Sequence, residues 1–102
     1  MVKSKKLSIL WDDKAKEEFK KELKYIRKSS SQGADSIKQE ILETIKNLPN
    51  APKAFEEDSL KMNNDGSYRR FFVYSYRIAY RITEDAILIL RIRHTSREPL
   101  EY

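Results

Sequence analysis

The sequence predicts an α+β fold of two layers, in which a helix hairpin packs on one face of a mainly antiparallel sheet. Apolar residues recur every three or four positions in the first half of the chain, which is helical spacing. From residue 68 onward they recur at every second position, which is strand spacing. The element order is therefore β-α-α-β-β-β. A chain of 102 residues suits one compact domain, so we expect residues 1–102 to form a single unit.

The first half of the chain contains a short strand and two amphipathic helices. Residues 5–11 are apolar enough for an edge strand, and Asp12 or Asp13 can cap a helix over residues 13–28. A second helix over residues 32–48 ends at a proline. The apolar stripes consist of Ala15, Phe19, Leu23 and Ile26 in the first helix, and of Ala34, Ile37, Ile41, Ile45 and Leu48 in the second. The short link predicts an antiparallel hairpin.

A long connection then leads into three strands. Residues 49–67 contain two prolines, and we expect Phe55, Leu60 and Met62 to pin this connection to the body of the protein. The motif "NNDG" is a turn signal. The strands that follow are "YRRFFVY", "YRIAYRI" and "AILILRIRH", rich in aromatic and β-branched residues.

Strict alternation along the strands predicts two different faces of the sheet. In the middle strand, one face consists of Tyr76, Ile78, Tyr80 and Ile82, and the other of Arg77, Ala79 and Arg81. In the last strand, one face consists of Leu88, Leu90, Ile92 and His94, and the other of Ile87, Ile89, Arg91 and Arg93. We expect the apolar side to carry the helices. The opposite face is expected to be open and lined by Arg77, Arg81, Arg91 and Arg93. The phase of the first strand stays open, because Arg69 and Arg70 cannot both face this side.

Composition excludes several kinds of chemistry. Without cysteine, the chain has no disulfide, no thiol nucleophile and no cysteine-ligated zinc, and a single histidine argues against a histidine metal site. We expect no metal and no cofactor. No stretch approaches the roughly 20 apolar residues of a membrane span, and the basic N-terminus lacks the apolar run of a signal peptide. These features predict a cytoplasmic protein with no membrane partner.

The charge distribution points to a gripping surface in the last third of the chain. The net charge is +5, and every lysine lies at or before Lys61, whereas all arginines except Arg27 lie at or after Arg69. Arginine grips phosphate and carboxylate through two parallel hydrogen bonds. The carboxylates of this third are too few to pair with its arginines; they are Glu84, Asp85, Glu98 and Glu101. An acidic partner would neutralise the surplus.

Residues 68–99 carry a resemblance to a known family. An arginine strand is followed by "YRIAYRI", by an acidic turn at Glu84 and Asp85, and by an aliphatic strand that closes on the spacing of His94 and Arg97. This pattern resembles the RelE/ParE superfamily of bacterial toxins, and the lengths of the helices and loop agree over nearly the whole chain. The resemblance implies the toxin of a type II toxin–antitoxin module, neutralised by an antitoxin with an acidic wrapping segment.

Two activities are known in the superfamily. ParE-like toxins inhibit DNA gyrase, and RelE-like toxins cut messenger RNA in the ribosomal A site. Cleavage with the ribose 2′-OH as nucleophile needs a base, an acid and cations around the phosphate. His94 could be the base or acid, and Arg70, Arg77 and Arg97 could hold the phosphate. Tyr102 could stack on a base.

The departures from the RelE-like pattern favour the ParE-like branch. The lysines nearest to the arginine strand are Lys53 and Lys61, both on the connection, and Thr95 follows His94 where other nucleases have tyrosine. The strand alternation also places His94 on the apolar side, as an anchoring residue. The basic binding face is expected to consist of Arg77, Arg81, Arg91 and Arg93, together with Arg97, which follows the last strand and could be returned to this face by the tail. The endoribonuclease remains an alternative, and a non-toxic module that binds nucleic acid or an acidic protein is a second one.

Overall fold

The computed structural model describes residues 7–96. Its elements, in chain order, are β1 (Ser8–Trp11), α1 (Asp13–Arg27), α2 (Ser31–Asn47), a 3-10 turn (Leu48–Asn50), β2 (Tyr68–Val73), β3 (Tyr76–Ile82) and β4 (Ala86–His94). The predicted β-α-α-β-β-β order and the α+β class are confirmed. Among residues 7–96 no helix is both long and apolar enough to span a bilayer.

The four strands form one mixed sheet in the order β1-β4-β3-β2. β2 pairs antiparallel with β3, and β3 with β4, whereas β1 pairs parallel with the first part of β4, from Ala86 to Ile89. β1 is too short to follow β4 further. The second part of β4 therefore continues past β1, and α1 lies along it.

The helix hairpin begins at caps that the sequence supplies. Asp12 caps α1 by accepting a hydrogen bond from the backbone N–H of Lys14 at 2.8 Å, and Ser30 caps α2 through Gly33 at 2.8 Å. The helices cover a core that includes the predicted stripe residues Ala15, Phe19, Ile26, Ile37, Ile41, Ile45 and Leu48, packed against Phe71, Tyr80 and the isoleucines of the sheet. Trp11 stacks on Phe19 with 5.5 Å between ring centroids, which closes the core beside β1.

The prediction that Ile87 and Ile89 share a face of β4 with Arg91 and Arg93 is wrong, because the strand contains a bulge. Tyr80 pairs with Ile89 and Ala79 with Arg91, so Leu90 is an extra residue without a partner in β3. The bulge reverses the alternation. Ile87 and Ile89 before it and Ile92 after it are all fully buried. The helix-covered face therefore continues through both halves of β4, which strict alternation does not permit.

The connection between the 3-10 turn and β2 follows the outer edge of the sheet. Glu57 bridges to Arg69, so the connection briefly acts as a further strand beside β2. Phe55 packs on Phe71 with 5.2 Å between ring centroids, which confirms that it pins the connection. Leu60 is half-buried, but Met62 is 80% exposed, so the prediction that Met62 pins the connection is wrong.

Candidate functional site

A cluster of two arginines and a phenylalanine lies on the sheet face opposite the helices. The register of β2 against β3 places Phe72 opposite Arg77, and alternation puts Arg70 on the same face. The guanidinium of Arg70 lies 4.9 Å, and that of Arg77 5.5 Å, from the centre of the Phe72 ring. The phase that the sequence left open is thereby resolved. Arg70 belongs to this face, and Arg69 to the helix-covered side.

Carboxylates from the connection pair with both arginines of this cluster. Arg77 donates to Asp58 at 2.7 Å in a pair that is almost fully buried, with 11% and 1% of the two side chains exposed. Arg70 donates to Glu56 at 2.9 Å, although Glu56 is 81% exposed. The Nε atoms of both arginines are buried and have no acceptor within residues 7–96. The buried pair fixes Arg77 in one position, whereas Glu56 can leave Arg70 at little cost.

A carboxylate of helix α1 closes the free edge of β4. Glu18 of α1 accepts hydrogen bonds from the Arg91 guanidinium at 2.8 to 3.2 Å, and it also accepts one from the backbone N–H of Ile92 at 3.0 Å. The hydrogen bonds to Glu18 raise the pKa of Arg91 above its ordinary value. Glu18 thus occupies the position beside β4 that β1 is too short to reach.

The remaining arginines of the sheet have different surroundings. Arg93 lies 3.8 Å from Glu18, a distance at which charge attraction remains but no hydrogen bond forms. Arg69 donates to the backbone carbonyls of Phe55 at 2.8 Å and Gly66 at 3.1 Å. Among residues 7–96, Arg81 forms no ion pair, and its guanidinium lies 4.9 Å from the ring centre of Tyr68.

The predicted open face lined by surplus arginines is therefore not confirmed. The surplus was predicted by comparing these arginines only with the acidic residues of the last third of the chain. Glu18, Glu56 and Asp58 come from earlier segments and pair with Arg91, Arg70 and Arg77. Ala79, on the same face, is 4% exposed, so this side of the sheet is partly covered.

His94 lies on the other face of the sheet, with the core. It pairs with Tyr76, whose ring meets the imidazole edge to face at 5.2 Å between centroids. Its Nδ1 accepts the backbone N–H of Ser96 at 3.1 Å and lies 2.7 Å from the Ser96 hydroxyl oxygen. The inward orientation of His94 that alternation predicts agrees with this placement. The hydrogen bonds tie the imidazole to the end of its own strand.

The predicted nuclease residues are thus only partly brought together. Arg70 and Arg77 share the Phe72 ring, and His94 is on the opposite face of the sheet. Arg97 and Tyr102 lie outside the described residues. The predicted basic binding face divides into two groups. Arg77 and Arg81 belong to the middle strand, and Arg91 and Arg93 reach toward Glu18.

Sequence reasoning missed several residues that shape this site. Glu18 sits within the apolar spacing of α1, three residues after Ala15 and next to Phe19, and a charge at such a position signals a partner inside the fold. The run of acidic residues that ends at Asp58 was a weaker indication of carboxylates that pair with the arginines of the sheet. No group of histidine, aspartate or glutamate side chains suited to a metal ion occurs within the described part of the chain.

Comparison with known proteins agrees with this architecture. The family described as ParE toxin of type II toxin-antitoxin system, parDE, matches residues 9–99. Among solved structures, a chain of the chromosomal ParDE TA system from P. aeruginosa is similar in fold, with a TM-score of 0.69 and 20% sequence identity, and the match covers 89% of this chain and 98% of that chain. No curated protein matches the sequence. Because the family match spans most of its length, the chain belongs to the ParE toxin family, and the predicted RelE/ParE superfamily is confirmed.

Proposed function

We propose that this toxin inhibits growth by binding DNA gyrase, and that it performs no chemistry of its own. The observation that supports this proposal most is the position of His94, on the opposite face from Arg70 and Arg77. An RNA-cleaving site needs an acid or base within hydrogen-bond reach of the phosphate that its cations hold. The imidazole instead packs edge to face on Tyr76. The only histidine of the chain therefore serves as an anchor in this proposal.

The proposal includes a cognate antitoxin with an acidic segment that wraps the toxin. The sheet offers this segment Arg81, which has no ion pair within residues 7–96, and Arg93, which is only loosely held by Glu18. An acidic segment would fold as it binds and gain charge-assisted hydrogen bonds to these guanidiniums. The free toxin would act in the cytoplasm, with residues 1–102 working as one domain.

Expression of the toxin without an antitoxin tests this proposal. We expect growth to stop and incorporation of a DNA precursor to fall before incorporation of RNA or protein precursors. Messenger RNA should remain intact when DNA synthesis first declines. An early and selective loss of protein synthesis would refute gyrase as the target. Undisturbed growth at verified expression would refute a toxin altogether, and favour a module that binds nucleic acid or an acidic protein.

The ribosome-dependent endoribonuclease is the second candidate, and one observation favours it. Arg70, Phe72 and Arg77 combine two cations with an exposed aromatic ring, a combination that can hold a phosphate beside a stacked base. In this case His94→Ala and Arg97→Ala would each abolish toxicity and the cutting of ribosome-bound transcripts. Under the gyrase proposal, His94→Ala leaves transcripts intact and does not remove the target contact.

A further inference from the structure

The turn between β2 and β3 holds a tyrosine in a backbone conformation that suits glycine. Val73 pairs with Tyr76, so the strands are joined by the two residues Tyr74 and Ser75. Tyr74 has a φ of 52°, in the left-handed region, where a side chain collides with the neighbouring carbonyl. Two-residue hairpin turns usually place glycine or asparagine at such positions. A bulky aromatic residue here therefore lowers the stability of the turn.

Within residues 7–96, no hydrogen bond or ring contact of Tyr74 offsets this strain. The Tyr74 side chain is 71% exposed. Phe72, two residues earlier, is 48% exposed although it is also aromatic and lies within a strand. Two exposed aromatic residues, two positions apart at one end of the sheet, are typical of an interaction surface, where such rings supply most of the binding energy.

The charges around these rings indicate what kind of partner fits. Arg70 and Arg77 flank Phe72, and the strands β2, β3 and β4 contain arginines but no acidic residue. Asp58 pairs with Arg77 and Glu56 pairs with Arg70. Arg93, opposite Arg77 in β4, lies 3.8 Å from Glu18, so the hairpin end carries only a modest positive charge. A polyanion such as nucleic acid calls for many unpaired cations, whereas a protein pocket that is apolar at its centre and acidic at its rim needs only a few.

We propose that the end of the β2–β3 hairpin is the surface through which this toxin grips its target protein. Tyr74 and Phe72 enter an apolar pocket of the target, and Arg70 meets a carboxylate at the rim of the pocket after leaving the exposed Glu56. The strain at Tyr74 is retained because the exposed ring makes its contacts in the complex. That the target is gyrase rests on the function proposed above, whereas the role of the hairpin does not.

Tyr74→Gly is the informative variant, because glycine removes the ring and also relieves the backbone. The variant should unfold at the same denaturant concentration as the natural protein or a higher one. Its binding to purified gyrase holoenzyme in the absence of DNA should weaken at least about 10-fold, as expected for loss of an aromatic hot spot. Growth inhibition after induction should fall in parallel. Phe72→Ala should weaken both in the same direction.

Two matched controls distinguish the effect of losing the Tyr74 ring from two other effects. One is relief of a strained backbone, and the other is loss of any exposed aromatic ring. Asn63 has a φ of 54°, so Asn63→Gly relieves a backbone of the same kind on the connection before β2. Tyr25 is 64% exposed on α1, so Tyr25→Ala removes a comparably exposed ring elsewhere. Both controls should inhibit growth and bind gyrase as the natural protein does.

Several outcomes would overturn the proposal. These are full growth inhibition by Tyr74→Gly at equal expression, an equal loss in the Tyr25→Ala control, and toxicity that persists while neutralisation by the antitoxin is lost. Binding of the natural protein to gyrase only when DNA is present would point to nucleic acid and would also overturn it. If the natural protein inhibits growth but does not bind gyrase, the proposed target fails. The loss of growth inhibition in Tyr74→Gly then still decides the role of the hairpin.

Discussion

Replacing Glu18 by alanine should destabilise the fold, because this partly buried carboxylate of α1 holds the free edge of β4. The carboxylate accepts three hydrogen bonds from Arg91 and one from the backbone N–H of Ile92. Its removal takes the hydrogen-bonded counter-charge away from a guanidinium that is only 20% exposed, and the attraction of Asp12 remains. Exposed ion pairs contribute about 0 to 1 kcal/mol, and breaking a buried one costs about 3 to 5 kcal/mol. Since 22% of Glu18 is exposed, we expect a loss of about 2 to 3 kcal/mol.

Urea denaturation followed by circular dichroism measures this loss directly. In a domain of this size it corresponds to a decrease in the thermal midpoint of roughly 10 to 20 °C. Glu17→Ala, one residue earlier and exposed, is the matched control and should change stability by less than about 0.5 kcal/mol. The double variant with Arg91→Ala should lose less than the sum of the single losses. A cost below about 0.5 kcal/mol for Glu18→Ala would refute the role of Glu18 at the edge of β4.

Three further predictions concern Asp58, Tyr80 and His94. Asp58→Ala leaves the Arg77 guanidinium buried without this carboxylate, and urea denaturation should show a loss of about 3 to 5 kcal/mol. A smaller loss than for Glu18→Ala would contradict the burial of this pair. Burial raises the pKa of Tyr80 to about 12 from an ordinary value near 10. The neutral side chain therefore contributes its full stability below pH 10. About 3 kcal/mol of the free energy of unfolding should be lost as the pH rises from 10 to 12. Tyr80→Phe removes the hydrogen bond to the Pro52 carbonyl, which lowers its stability at neutral pH. The further loss between pH 10 and pH 12 should be absent in this variant. His94→Ala should retain growth inhibition at equal expression, and complete loss of toxicity in a folded variant would support the nuclease instead.

The elements of this fold are predictable because each depends on local sequence. Asp12 and Ser30 cap the helices, and the apolar spacing of α1 and α2 defines which sides are buried. The strands "YRIAYRI" and "AILILRIRH" correspond to β3 and β4 residue for residue. The inward placement of His94 also follows from alternation, since no irregularity separates it from Ile92.

The site was harder to predict because its contacts join distant parts of the chain. The bulge at Leu90 reverses the alternation of β4, and nothing in a run of aliphatic residues marks where such an extra residue falls. The carboxylates that neutralise the arginines come from residues far away in sequence, with Glu18 separated from Arg91 by more than half the chain. A charge count confined to one third of the sequence cannot include them. The strain at Tyr74 likewise becomes visible only when the turn geometry is known.

The most direct test of gyrase inhibition uses purified components. Gyrase holoenzyme, supercoiled plasmid and ATP are incubated with the toxin, and detergent then traps any enzyme–DNA cleavage complex as linear plasmid. We predict that linear DNA increases with toxin concentration and requires gyrase. Tyr74→Gly should need at least about 10-fold more toxin to give the same amount of linear DNA. Absence of linear DNA at every toxin concentration, together with cut transcripts in a purified translation system, would contradict the account and identify the toxin as an endoribonuclease.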